Sequence, residues 1–109
     1  MLLFKEVHVD LIMSGKKWQT RRLWKKRRVK LGATHKAKTK MLSTDYFAKL
    51  KILRCYRQRL GDMTQADVIA EGYKSLEDYK YALQTINKRK RFIWDDNQIV
   101  FVVEFRVVE

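Results

Sequence analysis

Ile99-Val100-Phe101-Val102-Val103-Glu104-Phe105-Arg106-Val107-Val108 is the stretch on which the fold turns. β-branched and aromatic residues fill it. They lose rotamer freedom in a helix and pack well on a pleated surface, so the stretch reads as a final strand. Asp95-Asp96-Asn97 just ahead of it supplies a turn. Working outward, Tyr46 to Tyr56 reads as a second long strand. Its Ala48-Lys49-Leu50-Lys51-Ile52 core alternates with a period of two, and Leu53 breaks phase, which predicts a bulge. Arg57, Arg59, Gly61 and Asp62 then lead out through a loop. In Thr34 to Leu42, Ala37 and Met41 share one parity with Ala33 and His35, and Lys36, Lys38 and Lys40 share the other. That pattern predicts a half-buried strand showing a row of lysines to water. Met1 to Lys5 completes the set as a short strand.

Helices fill the gaps. Glu6 to Ser14 carries Val7, Val9, Leu11, Ile12 and Met13 and predicts a short, largely buried helix stopped by Gly15. Thr64-Gln65-Ala66-Asp67 has the form of a capping box, and its helix ends at Gly72. Ser75-Leu76-Glu77-Asp78 repeats the device for a helix running to about Lys88, with Leu76, Tyr79, Leu83 and Ile86 on one face. The order is strand, helix, basic loop, two strands, two helices, strand. This predicts a single domain over residues 1–109 of the α+β class, a mixed or antiparallel β-barrel flanked by two or three helices.

Composition narrows the function. The formal net charge is +13 on 109 residues, and it is segregated. From Leu11 to Thr44 there is no acid among twelve lysines and arginines, whereas Asp62 to Asp78 holds five acids and one lysine. A uniformly basic surface would serve solubility; a segregated one makes a patch for a polyanion. The longest clean apolar run, Ile99 to Val103, is far short of the roughly 18 residues that span a bilayer. The first six residues lack the features of a signal peptide. A lone Cys55 and no zinc-type spacing argue for a reduced, metal-free chain, so no cofactor and a cytoplasmic location are expected.

Ser14-Gly15-Lys16-Lys17-Trp18-Gln19-Thr20-Arg21-Arg22 draws the chemistry together. Arginine forks grip phosphate, and the indoles of Trp18 and Trp24 either stack on unpaired bases or are core aromatics. Basic residues interleaved with aromatics suit RNA or another single strand better than duplex DNA. The expected nucleic-acid surface is Lys16, Lys17, Trp18, Arg21, Arg22, Trp24, Lys25, Lys26, Arg27, Arg28, Lys36, Lys38 and Lys40, with Lys88 to Arg91 nearby. Glu71 is an oddity: a carboxylate in the last turn of a short helix opposes the dipole by a few tenths to about 1 kcal/mol. It is either a plain surface residue or is held by a cation from the basic loop. In the second case Lys17, Thr20 and Glu71 could form a base, hydroxyl and carboxylate cluster. His8 and His35 read as structural. Cys55, close to Arg54 and Arg57, would have a lowered pKa but no partner base.

Three groups of residues together resemble the ASCH domain family over nearly the whole chain. They are Gly15, Lys17, Thr20 and Arg22, with Gly32 following; Ala70 to Tyr79; and the Val102-Val103-Glu104-Phe105 strand. The resemblance implies a PUA-like barrel with a cleft beside the helix that follows the first strand, and a role in RNA binding. It also implies an alternative. Some small members are amidohydrolases that remove the acetyl group from N4-acetylcytidine with a Lys, a Thr and a Glu, which fall here on Lys17 as activating base, Thr20 as nucleophile and Glu71 as acid/base or orienting group. Where those enzymes commonly have Thr after the lysine, this chain has Trp18, which is expected to reshape or block a nucleoside pocket. The expected partner is therefore RNA or single-stranded nucleic acid, alternatively a modified cytidine, with an acidic protein as a third option. Oligomeric state is not readable.

Overall fold

The computed structural model describes residues 1–109. In chain order the elements are β1 (Leu2–Leu3), α1 (Val9–Met13), β2 (Gln19–Arg22), β3 (Thr34–Lys38), β4 (Ala48–Arg59), α2 (Gln65–Ala70), α3 (Leu76–Ile86) and β5 (Ile99–Val107). Short 3-10 turns at Glu6–His8, Leu60–Asp62 and Lys88–Lys90 flank the helices. The strands form one sheet in the order β1-β3-β4-β5-β2, antiparallel except where β1 meets β3. The sheet curls into a half-barrel, giving an α+β fold as expected. Its two edges come within one hydrogen bond of each other, since Arg22 Nη2 donates to the Leu3 carbonyl at 2.7 Å.

β5 lies between β4 and β2, and Val100 to Phe105 are buried on both faces of the sheet. Phe101, Val103 and Phe105 enter a core with Leu2, Phe4, Ile12, Leu50 and Ile52. Val100 and Val102 pack with Leu60, Tyr79 and Leu83 under α3. Each such side chain removed from water stabilises by about 1.5–3 kcal/mol, which is why α3 docks where it does. The predicted bulge in β4 is present: the register passes from Ile52 opposite Phe105 to Arg54 opposite Glu104, leaving Leu53 unpaired and exposed. The extra residue flips the phase, so Ala48, Leu50 and Ile52 point inward before it and Cys55 after it.

Both helix caps form. Thr64 and Asp67 make the full reciprocal box, and Ser75 accepts from the Asp78 N–H. Four expectations need correction. The strand expected to end at Tyr56 runs on to Arg59, so Arg57 and Arg59, expected in a loop, pair with Phe101 and Ile99, and Gly61 and Asp62 lie in a 3-10 turn. The Glu6–Ser14 helix is shorter and splits into two turns; only His8 and Ile12 of it are buried, while Val7 and Met13 face outward. So short an element offers one face to the sheet. The strand predicted over Thr34–Leu42 ends at Lys38; Lys36 and Lys40 are exposed, and Lys38 turns back to donate to the Ser43 carbonyl at 2.7 Å. Most consequentially, the start of the supposed basic loop is strand β2, paired residue for residue with Phe101–Glu104. An apolar strand such as β5 cannot leave its backbone N–H and C=O groups unpaired in the interior, and β2 satisfies them.

Candidate functional site

A cavity of about 520 Å³ opens between the end of β1, strand β2 and α3. One wall comes from the turn after the first strand, through Lys5, Glu6 and His8, and α3 contributes Tyr79, Leu83 and Ile86. Lys17, Thr20 and Glu71 all line it.

Lys17 is held there by its backbone. Its N–H donates to the carbonyl of Leu11 in α1, and the next N–H, of Trp18, donates to Ala70 at the end of α2. Gly72 makes room. At φ +96° it takes a conformation that favours glycine, and a Cβ would stand 3.1 Å from Leu11 Cδ1 and 3.5 Å from Lys17 Cδ. The Lys17 ammonium then reaches Glu71 Oε1 at 2.9 Å, the Glu71 carbonyl at 2.6 Å and the Gln19 carbonyl at 3.0 Å. All three of its protons are used. This resolves the oddity of Glu71: the lysine sits at the negative end of α2 and offsets both the carboxylate and the dipole. Burial pushes the Lys17 pKa down, and the Glu71 carboxylate opposes that shift.

Within β2 the side chains divide by alternation. Gln19 and Arg21 share one face, where Arg21 Nη1 donates to Gln19 Oε1 at 2.8 Å and to Glu71 Oε2 at 3.1 Å. Arg21 also bonds Gln58 Oε1 through Nε and Nη2 and lies 3.3 Å from Asp67 Oδ2. Its side chain is wholly buried, so it has no free edge for the phosphate that the sequence reading assigns to it. Gln19 continues the network to Glu104, which Arg54 meets from the outside. On the other face, Arg22 Nε donates to Thr20 Oγ1 at 3.0 Å, and its guanidinium lies over the Phe4 ring, 5.0 Å from the centroid. The Thr20 oxygen is therefore engaged by Arg22, and no hydrogen bond joins it to Lys17.

The remaining candidates scatter. Trp24 lines the cavity, packed on Phe101, with Arg28 above it at 5.9 Å. Trp18 is half-exposed and does not line the cavity, so it does not block it. Lys16, Lys25, Lys26, Arg27 and Arg28 are exposed, with Arg27 tied to the Cys55 carbonyl at 2.9 Å. Lys36 on β3 stands 5.0 Å from the Tyr46 ring centroid. Lys36, Lys38 and Lys40 do not line the cavity, whereas Lys90 does. Cys55 is buried, and desolvation pushes its thiol pKa up.

Phe4, His8, Tyr73 and Tyr79 also line the cavity and were not among the expected site residues. His8 stacks edge-on against Tyr73 at 5.3 Å. Burial, then the nearby Lys17 charge, pushes the His8 pKa down to about 4, so the ring is neutral. The only sequence signal for Tyr79 is that a tyrosine stands where a core helix position needs no hydroxyl.

No protein-family model matches the sequence, and neither does any curated protein. Solved structures match its shape. The ASCH domain from Lactobacillus crispatus superposes with a TM-score of 0.73 at 18% identity, covering 94% of this chain and 70% of that one. A protein from Enterococcus faecalis of family DUF984 gives 0.72 at 13% identity, covering 98% and 74%. The hypothetical protein PH0355 gives 0.73 at 18% identity, covering 98% and 96%. Identities this low speak for the fold alone, and in that sense the chain has the ASCH domain fold.

Proposed function

We propose that this protein binds single-stranded RNA, taking one unpaired base into the cavity and holding the neighbouring phosphates on the exposed strip from Lys25 to Arg28. The observation that carries this reading is the make-up of the cavity. Phe4, Trp24, Tyr73 and Tyr79 give it aromatic walls, and Lys5, Arg28 and Lys90 give it cations. Its volume falls within the few-hundred-Å³ range of pockets that enclose a small planar ligand. Base–aromatic stacking contributes about 1–3 kcal/mol per base, and each phosphate contact releases counterions. The ASCH fold, whose members are thought to bind RNA, agrees with it. Fluorescence anisotropy with a short single-stranded RNA over a salt series tests the proposal. About four phosphate contacts predict a log–log slope near −3. No binding at 50 mM salt, or a flat slope, would sink it.

A second reading, an amidohydrolase acting on N4-acetylcytidine, is favoured by one fact: Lys17, Thr20 and Glu71 share the cavity. In it, Lys17 first passes one proton to Glu71 Oε1 and then takes the Thr20 proton as Oγ1, steadied by Arg22 Nε, attacks the acetyl carbonyl. The carbonyl C–N4 bond breaks, cytidine leaves as the amine with the proton returned by Lys17, and water hydrolyses the acetyl-Thr20 ester to acetate. Burial, which pushes the Lys17 pKa down, favours that first proton loss. Incubation with N4-acetylcytidine followed by chromatography tests it. Thr20→Val is the control, because it keeps the shape and leaves the Lys17–Glu71 pair untouched. Release of cytidine by the wild type alone supports the enzyme; no release rejects it.

A further inference from the structure

The outer face of the sheet is covered by a helix at one end only. Val100 and Val102 lie under α3, and beyond them Glu104 is buried and tied to Gln19 and Arg54. Past Glu104 the face changes character. Ala37, Leu50 and Phe105 point into the core, so their neighbours Lys36, Lys49, Lys51 and Arg106 point outward. The register sets these cations against one another: Lys36 stands directly opposite Lys49, and Lys51 directly opposite Arg106. Directly opposed residues have Cβ atoms about 4.5–5.5 Å apart, and like charges there destabilise a sheet. Lys49 and Lys51 are two residues apart on one strand, about 7 Å, so the four cations make a single grid. Glu109 meets Lys49 at 3.4 Å, while Lys36, Lys51 and Arg106 meet no carboxylate. The next outward pair on the same two strands, Arg54 with Glu104, is of opposite sign and in contact at 3.3 Å. Opposite charges thus meet at the margin of the helix-covered half, and like charges fill the bare half. A polyanion laid across that half would offset their repulsion.

We propose that the grid of Lys36, Lys49, Lys51 and Arg106 binds the phosphate backbone of double-stranded RNA. None of the four lines the cavity, so this is a second surface. It goes beyond the single-strand reading and does not rest on it. Charge is what the face offers. Tyr46 at its margin is not free to stack a base, because the Lys36 and Lys49 ammonium groups lie over its ring, 5.0 and 5.7 Å from the centroid. Cations without a free stacking ring suit a backbone whose bases are already paired, and double-stranded RNA is recognised through its phosphates and shape. An acidic protein fits less well, since protein interfaces are depleted in lysine and enriched in aromatic residues.

Fluorescence anisotropy with a short blunt RNA duplex tests this, because a duplex offers the cavity no unpaired base. Lys36→Gln/Lys51→Gln/Arg106→Gln is expected to bind the duplex about ten- to a hundredfold more weakly than wild type at low salt, with a log–log salt slope shallower by about 2. With the repulsion gone, it is expected to melt no lower than wild type. Lys51→Glu, which sets an opposite charge against Arg106, is expected to melt higher than wild type and to lose duplex affinity. Unchanged affinity and slope in both variants, or no duplex binding by wild type, overturns the proposal. So does a polyglutamate peptide of equal charge that binds wild type as tightly as the duplex and is lost with the same residues; that result assigns the face to an acidic protein. Duplex binding through these residues by a protein that binds no single strand supports this proposal and sinks the cavity reading alone. Should the triple variant not fold, Lys51→Glu decides.

Discussion

Lys17 to Arg22 and Lys25 to Arg28 are neighbouring basic stretches, and the fold treats them in opposite ways. In the first, Lys17 and Arg21 are buried and tied to Glu71, with Asp67 and Gln58 completing the shell. In the second, all four cations face water. The difference lies in what the rest of the chain brings to them. β5 demands a partner strand, β2 supplies it, and α2 then lays its acidic end across the buried face of β2. No acid is delivered to Lys25–Arg28, which keep their charge for something outside. Net charge alone therefore overstates the binding surface, because part of it is spent internally.

Removing the internal acid is the strongest way to break this contrast. Glu71→Ala leaves two buried cations without their shared carboxylate and is expected to cost about 3–5 kcal/mol in a urea titration. A loss under about 1 kcal/mol would mean that the two stretches are not so different after all. The counterpart on the exposed side is Lys25→Ala/Lys26→Ala/Arg28→Ala. Stability is expected to stay close to wild type, while RNA affinity at low salt falls by about ten- to a hundredfold and the salt slope becomes shallower. An unchanged slope would move the phosphate surface elsewhere.

The pH response sharpens the picture of the buried side. The His8 pKa is lowered from 6.5 to about 4 by burial and by Lys17, so the unfolded chain takes up the proton first. Its contribution is full above pH 6.5 and is lost as the pH falls towards 4, by about 1–2 kcal/mol. Urea midpoints at pH 7 and pH 4.5 should show this, and His8→Phe should flatten it. The smallest effect belongs to the cap that positions Asp67 beside Arg21. Thr64→Ala is expected to cost about 1 kcal/mol, and Thr64→Ser to recover most of it. Equal melting of the two would show that the box is incidental to the buried cluster.

Much of the fold was legible because it rests on local periodicity and short-range caps. The apolar run of β5, the alternation of Ala48 to Ile52, the phase break at Leu53 and the Thr64–Asp67 box each declare themselves within a few residues. Strand β2 was not legible. Gln19-Thr20-Arg21-Arg22 is polar on both faces, so it has no hydrophobic alternation, and its strand character comes from the edge of β5 some eighty residues away. The burial of Arg21 was hidden for the same reason. The site was half legible: Lys17, Thr20 and Glu71 could be picked out, while His8 read as structural, Tyr79 as one residue of a helix face, and Phe4 and Tyr73 carried no site signal.

The sequence by itself determined the class of fold, the bulge, the helix starts and the presence of a basic strip, because these follow from propensity, spacing and composition. Only the tertiary structure decided which cations are free, that Glu71 lies 2.9 Å from Lys17, and that a tyrosine hydroxyl on α3 is buried without a partner. Those depend on residues more than fifty positions apart being desolvated together, and the energy of a buried charge or hydroxyl is set by such neighbours rather than by anything adjacent in the chain.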